Sequence, residues 1–234
     1  MPLLNPGRRL LAEFLGTALL VCTVVGSGIA AQQLSPGNSG LQLLENSTAT
    51  VLGLGVLILI FAPASGAHFN PAVSLADWLT GRRTGTGLTT VDLAGYLIAQ
   101  VLGAVAGSVL ANAMFDQPAI QISTCHRVTT GHLIGEVVAT AGLIAVVFAL
   151  TRTARAALSA PAIAAYIGAA YWFTSSTSFA NPAVTIGRVF SDTFAGIAPS
   201  SAPAFVLAEL AGAAIGLTLI GIVYPAPLKG ALHE

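Results

Sequence analysis

Ser65-Gly66-Ala67-His68-Phe69-Asn70-Pro71-Ala72-Val73 and, in the second half of the chain, Ser178-Phe179-Ala180-Asn181-Pro182-Ala183-Val184 contain the same Asn-Pro-Ala-Val tetrapeptide. Asn is a strong helix N-cap, because its side-chain oxygen accepts an orphan backbone N–H. Pro suits the first helical position, where its missing N–H is not needed. Each copy therefore reads as the start of a helix preceded by irregular backbone. Both copies lie in very apolar surroundings. Irregular backbone at membrane depth is tolerated only where it is buried in protein or lines a watery cavity. Two such helix starts in one membrane chain suggest a pore.

Working outward, the chain has 234 residues, 55% hydrophobic and 8% charged, where a soluble domain carries about 25% charged residues. Nine Lys and Arg balance nine Asp and Glu, so no net field points to nucleic acid or an acidic partner. This is the composition of a polytopic membrane protein. The first apolar run, residues 10–31, is too long for a signal-peptide core and is kept as a span. Cys22 and Cys125 are too few for a disulfide framework.

Residues 46–76 form a run of 31 without Asp, Glu, Lys or Arg, and residues 156–187 a run of 32. A crossing takes about 20 residues, so each run is too long for one span and too short for two. Each fits one span, a re-entrant loop and a half-length helix of about ten residues. The Asn-Pro-Ala motifs fall where those half-helices begin. Further spans are expected over 92–114, 131–151 and 203–224, after a polar connection over 32–44. The fold class is all-α, with six membrane-spanning helices and two re-entrant half-helices.

The halves repeat. Glu13-Phe-Leu-Gly-Thr-Ala is answered by Glu136-Val-Val-Ala-Thr-Ala, and Ala99-Gln100-Val-Leu-Gly-Ala by Ala208-Glu209-Leu-Ala-Gly-Ala. Three spans per half give an inverted repeat, about 1–115 and 125–228, within one channel domain over 1–234. With both termini cytoplasmic, Arg8, Arg9, Arg82, Arg83, Arg152, Arg155 and Lys229 lie inside, and Arg127 and Arg188 lie outside or in a pore mouth. The half-helix N-termini then meet near the midplane. Each carries roughly +0.5 of an elementary charge, which opposes cations. A capping Asn spends its oxygen on its own helix and leaves its NH₂ to donate into the lumen. Asn70 and Asn181 so placed suit small neutral solutes and not a metal ion. No catalytic group, cofactor or metal is expected. Gly103-x₃-Gly107 and Gly212-x₃-Gly216 are small-residue patterns that let membrane helices approach closely. Gly53 and Gly55 read as keeping a pore wall bare.

These residues resemble the aquaporin, or major intrinsic protein, superfamily over essentially the whole chain. The resemblance implies one pore per subunit built around Asn70, Pro71, Ala72, Asn181, Pro182 and Ala183, a homotetramer, and a place in the cell inner membrane. It also implies that Glu13 and Glu136 accept hydrogen bonds from the re-entrant loops, whose carbonyls line the pore. Aquaporins usually place Arg directly after the second Asn-Pro-Ala, and here that residue is Val184. Counting back from Asn181 puts Ala169 and Ser178 at the outer constriction, and counting back from Asn70 puts Thr50 there. Thr50, Ala169, Ser178 and Val184 describe a wide, weakly polar ring without a fixed cation, at odds with selectivity for water alone.

Val184-Thr-Ile-Gly-Arg-Val-Phe-Ser-Asp-Thr-Phe-Ala-Gly resembles a bacterial branch associated with arsenic resistance, which implies passage of arsenite as neutral As(OH)₃ and of methylated arsenicals besides glycerol-like solutes and water. Arg188 reads as an anchor for the end of the second half-helix, or a partner for Asp192 at i+4, with a guanidinium turned back to the lumen as the alternative. His68 is expected to bond loop backbone near the cytoplasmic approach, with a pH gate as the alternative. Rival readings are a water-selective aquaporin and an ion-coupled transporter. The latter needs an ion or proton site at the broken helices, where the sequence has no carboxylate.

Overall fold

Asn5 starts the first helix by accepting the N–H of Gly7 at 2.9 Å, with Pro6 in the first turn, and α1 runs Pro6–Leu34. The chain is described here by a computed structural model over residues 5–224, the side chains of residues 83 and 84 excepted. Lys229 lies outside the described residues. After α1 come α2 (Ser39–Ser65), the half-helix α3 (Pro71–Thr84), α4 (Thr90–Met114) and α5 (Thr130–Arg152). A 3₁₀ turn, Ala156–Leu158, leads into α6 (Ser159–Phe173), followed by the half-helix α7 (Pro182–Gly187) and α8 (Ala202–Val223). Six of these helices, counting α6 with its leading turn, are long and apolar enough to cross a bilayer.

Two expectations about length change. The 32–44 connection shrinks to four residues, 35–38, because Asn38 caps α2 early by accepting from Leu41 at 3.0 Å. The half-helices are unequal: α3 has 14 residues, whereas α7 has six and tightens into a 3₁₀ turn over Arg188–Phe190.

Within each half the outer helices pair, α1 with α4 and α5 with α8, while each half-helix packs on helices of both halves, α3 on α4 and α8 and α7 on α4 and α8. Lipid tails are as apolar as Leu, so close packing rather than water expulsion drives these pairings. The small-residue patterns lie at the closest approaches. A Cβ on Gly107 would collide with the carbonyl of Ala18, and one on Gly216 with that of Ala141. Overpacking of this kind costs about 1–3 kcal/mol or more, so Gly107→Val is expected to lower the thermal midpoint in detergent by several degrees or prevent assembly. Gly221, with open space around it, is the control: Gly221→Val leaves the midpoint unchanged. Gly53 faces Thr23 and Gly55 faces Ala164, so neither lines the cavity described below.

Two basic side chains tie helix ends together. Arg9 pairs with Asp92 at 3.3 Å, joining the starts of α1 and α4. Arg152 donates to the carbonyls of Ile220 and Tyr224, joining the ends of α5 and α8.

Candidate pore

The two re-entrant loops are built alike. Asn70 Oδ1 accepts the N–H of Ala72 at 2.9 Å, and Asn181 Oδ1 those of Ala183 at 3.0 Å and Val184 at 3.3 Å. Ahead of each Asn the backbone turns left-handed at matching places: Gly66, Ala67 and Phe69 in one loop, Thr177, Ser178 and Ala180 in the other, with φ from +49° to +91°. For a residue with a Cβ this conformation costs about 1–2 kcal/mol, so something must hold it.

Buried carboxylates do so. Glu13 Oε1 accepts from Ser65 Oγ at 2.6 Å and the His68 N–H at 3.0 Å. Its Oε2 accepts from the Phe69 N–H at 2.7 Å and Gln100 Nε2 at 2.8 Å. Glu136 accepts the N–H of Phe179 at 2.9 Å and of Ala180 at 2.7 Å. Residues 68 and 69 match 179 and 180 in their distance from the capping Asn, so the same brace is used twice. Behind it, Gln100 also donates to Ser74 Oγ at 2.9 Å, while Thr185 Oγ1 donates to Glu209 at 2.6 Å. The pair that marked the repeat in the sequence, Gln100 and Glu209, thus supports matching hydroxyls four residues past each Asn.

The tips are tied together. Asn70 Nδ2 donates to the carbonyl of Ala180 at 2.7 Å, and Asn181 Nδ2 to that of Phe69 at 2.8 Å. This corrects the expectation of a wholly free NH₂. One N–H of each amide is spent on the opposite loop, leaving one per Asn.

A cavity of about 370 Å³ passes these tips and is lined by both Asn side chains, by Thr50, Ser178 and Val184, and by an apolar wall that includes Leu54, Ile58, Leu143 and Ile167. Pro71, Ala72, Pro182 and Ala183 are buried behind it. Ala169 is the miss: it is exposed on the far side of α6 and does not touch the cavity. Tyr171, two residues on, lines the cavity instead, its hydroxyl 3.2 Å from Thr50 Oγ1. Two residues are 200° of helix rotation, so a count that is off by two picks the opposite face. Tyr171 had no motif to flag it.

Two polar side chains differ from expectation. The His68 ring meets a side chain, not backbone: Nδ1 lies 3.1 Å from Ser74 Oγ, on the cavity wall. Arg188 makes no ion pair with Asp192, which accepts instead from the Thr124 N–H and hydroxyl at 2.8 and 3.0 Å. Arg188 Nε donates to the carbonyl of Ala195, closing the turn after α7, and its guanidinium carbon stands 3.4 Å from the Phe179 ring centroid. The residue also lines the cavity, so it combines the anchoring and lumenal readings. Arg127, in the 115–129 connection, approaches the same ring at 5.4 Å and donates to the carbonyls of Gly196 and Phe194. Burial lowers the pKa of its guanidinium below the usual value.

Residues 4–180 match the family model described as Major intrinsic protein. The chain is 50% identical over 213 residues to Aquaglyceroporin AqpS of Rhizobium meliloti (strain 1021), covering 91% of this chain and 88% of that protein. It is 34% identical over 123 residues to the Glycerol uptake facilitator protein of Haemophilus influenzae, covering 52% of this chain and 43% of that one. The X-ray structure of the aquaglyceroporin from Plasmodium falciparum superposes with a TM-score of 0.69 at 21% identity, over 92% of this chain and 96% of that chain, a likeness of fold.

Proposed function

The chain belongs to the major intrinsic protein family as an aquaglyceroporin-type channel, and we propose that it passes water, glycerol-like polyols, arsenous acid and methylated arsenicals down their gradients. The supporting observation is the pair of capping Asn amides, tied tip to tip across a cavity that continues past Val184. Each amide retains one N–H to orient a passing oxygen. The apolar wall opposite offers nothing that would hold a charged solute. As(OH)₃ is a small uncharged triol, so it presents the same hydroxyls as glycerol to Thr50, Tyr171 and Ser178.

Glu13 and Glu136, both wholly buried, have their oxygens filled by donors and are absent from the cavity wall, and Asp77, the carboxylate that does line it, accepts the Leu88 N–H at 2.8 Å, which favours a channel over a proton- or sodium-coupled transporter. In this reading residues 1–234 are one domain of two inverted repeats, the assembly is a homotetramer in the inner membrane, and both termini are cytoplasmic. In proteoliposomes, glycerol and arsenous acid are expected to equilibrate at rates unaffected by proton or sodium gradients. Uphill accumulation driven by either gradient would overturn the channel reading. Water flow without glycerol uptake would point to a water-selective pore.

A further inference from the structure

We propose that Arg188 sets the charge selectivity of the outer mouth while Val184, one turn closer to Asn181, sets its width, an inference that rests on the channel reading above. Residues four apart share a helix face, and both line the cavity. The first residue after Asn181-Pro182-Ala183 therefore leaves the ring uncharged, and the cation stands one turn beyond it.

The placement of this guanidinium is fixed. Its flat face stacks on Phe179, its Nε is held by the Ala195 carbonyl, and the Arg188 carbonyl accepts the N–H of Ile197 at 3.3 Å. Among the described residues no other protein acceptor meets its terminal amino groups, and these are not among the sealed, unpartnered polar atoms. That leaves them the lumen, where they can donate to a solute oxygen.

Among the described residues no carboxylate makes an ion pair with Arg188, although Glu136 and Glu209 act on it through space. The acids around it are engaged elsewhere: Glu136 with the Phe179 and Ala180 N–H groups, Glu209 with Thr185, and Asp192 with Thr124. Arg127, on the same Phe179 ring, adds a second positive group rather than a counter-ion. In a narrow passage with low-dielectric walls, one sign of charge focuses into the lumen and repels cations there. Width and charge are thereby divided between two residues, so each can be changed without the other.

The test uses an isosteric pair, neutral urea and the guanidinium cation, with uptake measured in proteoliposomes of wild type, Arg188→Gln and Arg188→Lys. Wild type is expected to admit urea and exclude guanidinium. Arg188→Gln is expected to raise the guanidinium-to-urea ratio by about tenfold or more, and Arg188→Lys to bring it back toward wild type, since a lumenal charge acts through focusing. A purely structural Arg188 predicts lower yield with the ratio unmoved. Wild type admitting guanidinium as readily as urea, or an unmoved ratio in Arg188→Gln, overturns the proposal while leaving the channel intact. Wild type that takes up glycerol but no urea overturns this inference alone, and wild type that takes up neither overturns the channel reading with it. Should Arg188→Gln not assemble, methylglyoxal labelling of wild type decides by mass spectrometry. An adduct on Arg188 supports a lumenal guanidinium, and an unmodified Arg188 beside fully modified, exposed Arg155 overturns it.

Discussion

Glu13→Leu is expected to abolish assembled protein. Glu13 is wholly buried and receives four donors, from Ser65, His68, Phe69 and Gln100. Each donor stranded without an acceptor costs about 1–3 kcal/mol, and proteins are stable by only about 5–15 kcal/mol in total. Losing all four consumes most of that margin, and it releases Ala67 and Phe69 from the left-handed backbone that aims their carbonyls. Glu13→Gln keeps the shape and one acceptor oxygen, and should recover part of the yield. Glu136→Leu strands the N–H groups of Phe179 and Ala180 and should fall between. Monodisperse yield in detergent, followed by glycerol uptake, ranks the three. Wild-type yield and uptake from Glu13→Leu would show that the loop does not depend on its carboxylate.

The second large effect is on transport. Val184→Arg should cut glycerol and arsenous acid uptake by at least about tenfold, the equivalent of ~1.4 kcal/mol at the constriction, while sparing part of the water flow. Val184 is 5% exposed and that exposure faces the cavity, so a long side chain there has only the lumen to enter. It would also put a second cationic side chain on the same face, its Cβ about 5–6 Å from that of Arg188, where like charges repel. The two would spread across the opening and narrow it. Liposome swelling with water, glycerol and arsenous acid separates a narrowed channel from a closed one. Equal glycerol and arsenous acid uptake in variant and wild type would mean that the ring does not lie at this level.

Much of this was readable from the residues because the motifs act locally. Asn before Pro names a cap, a charge-free run measures what fits in a bilayer, and the repeat of Glu13 in Glu136 and of Gln100 in Glu209 marks equivalent posts. What the residues do not announce depends on distance along the chain. The Asn70 amide finds Ala180, 110 positions on, and no local pattern announces that bond. Counting back from Asn181 reaches Ala169, and a helix turns a two-residue difference into its opposite face, so that Tyr171 faces the cavity. Arg188 was ambiguous because its neighbour at i+4, Asp192, is claimed by Thr124 from a distant connection. The short connection at 35–38 was hidden by polar residues that helix ends tolerate well.

The exchange of hydrogen bonds between the two Asn loops bears on biogenesis. A ribosome delivers the first half of this chain with α3 dipping into the bilayer and nothing yet for the Asn70 Nδ2 or the Phe69 carbonyl to grasp. α4 supplies one side of its resting place, and α8 and the loop at Ala180, both synthesised later, supply the other. Each half is therefore the other's mould, and the conduit comes into being only when the last helix arrives.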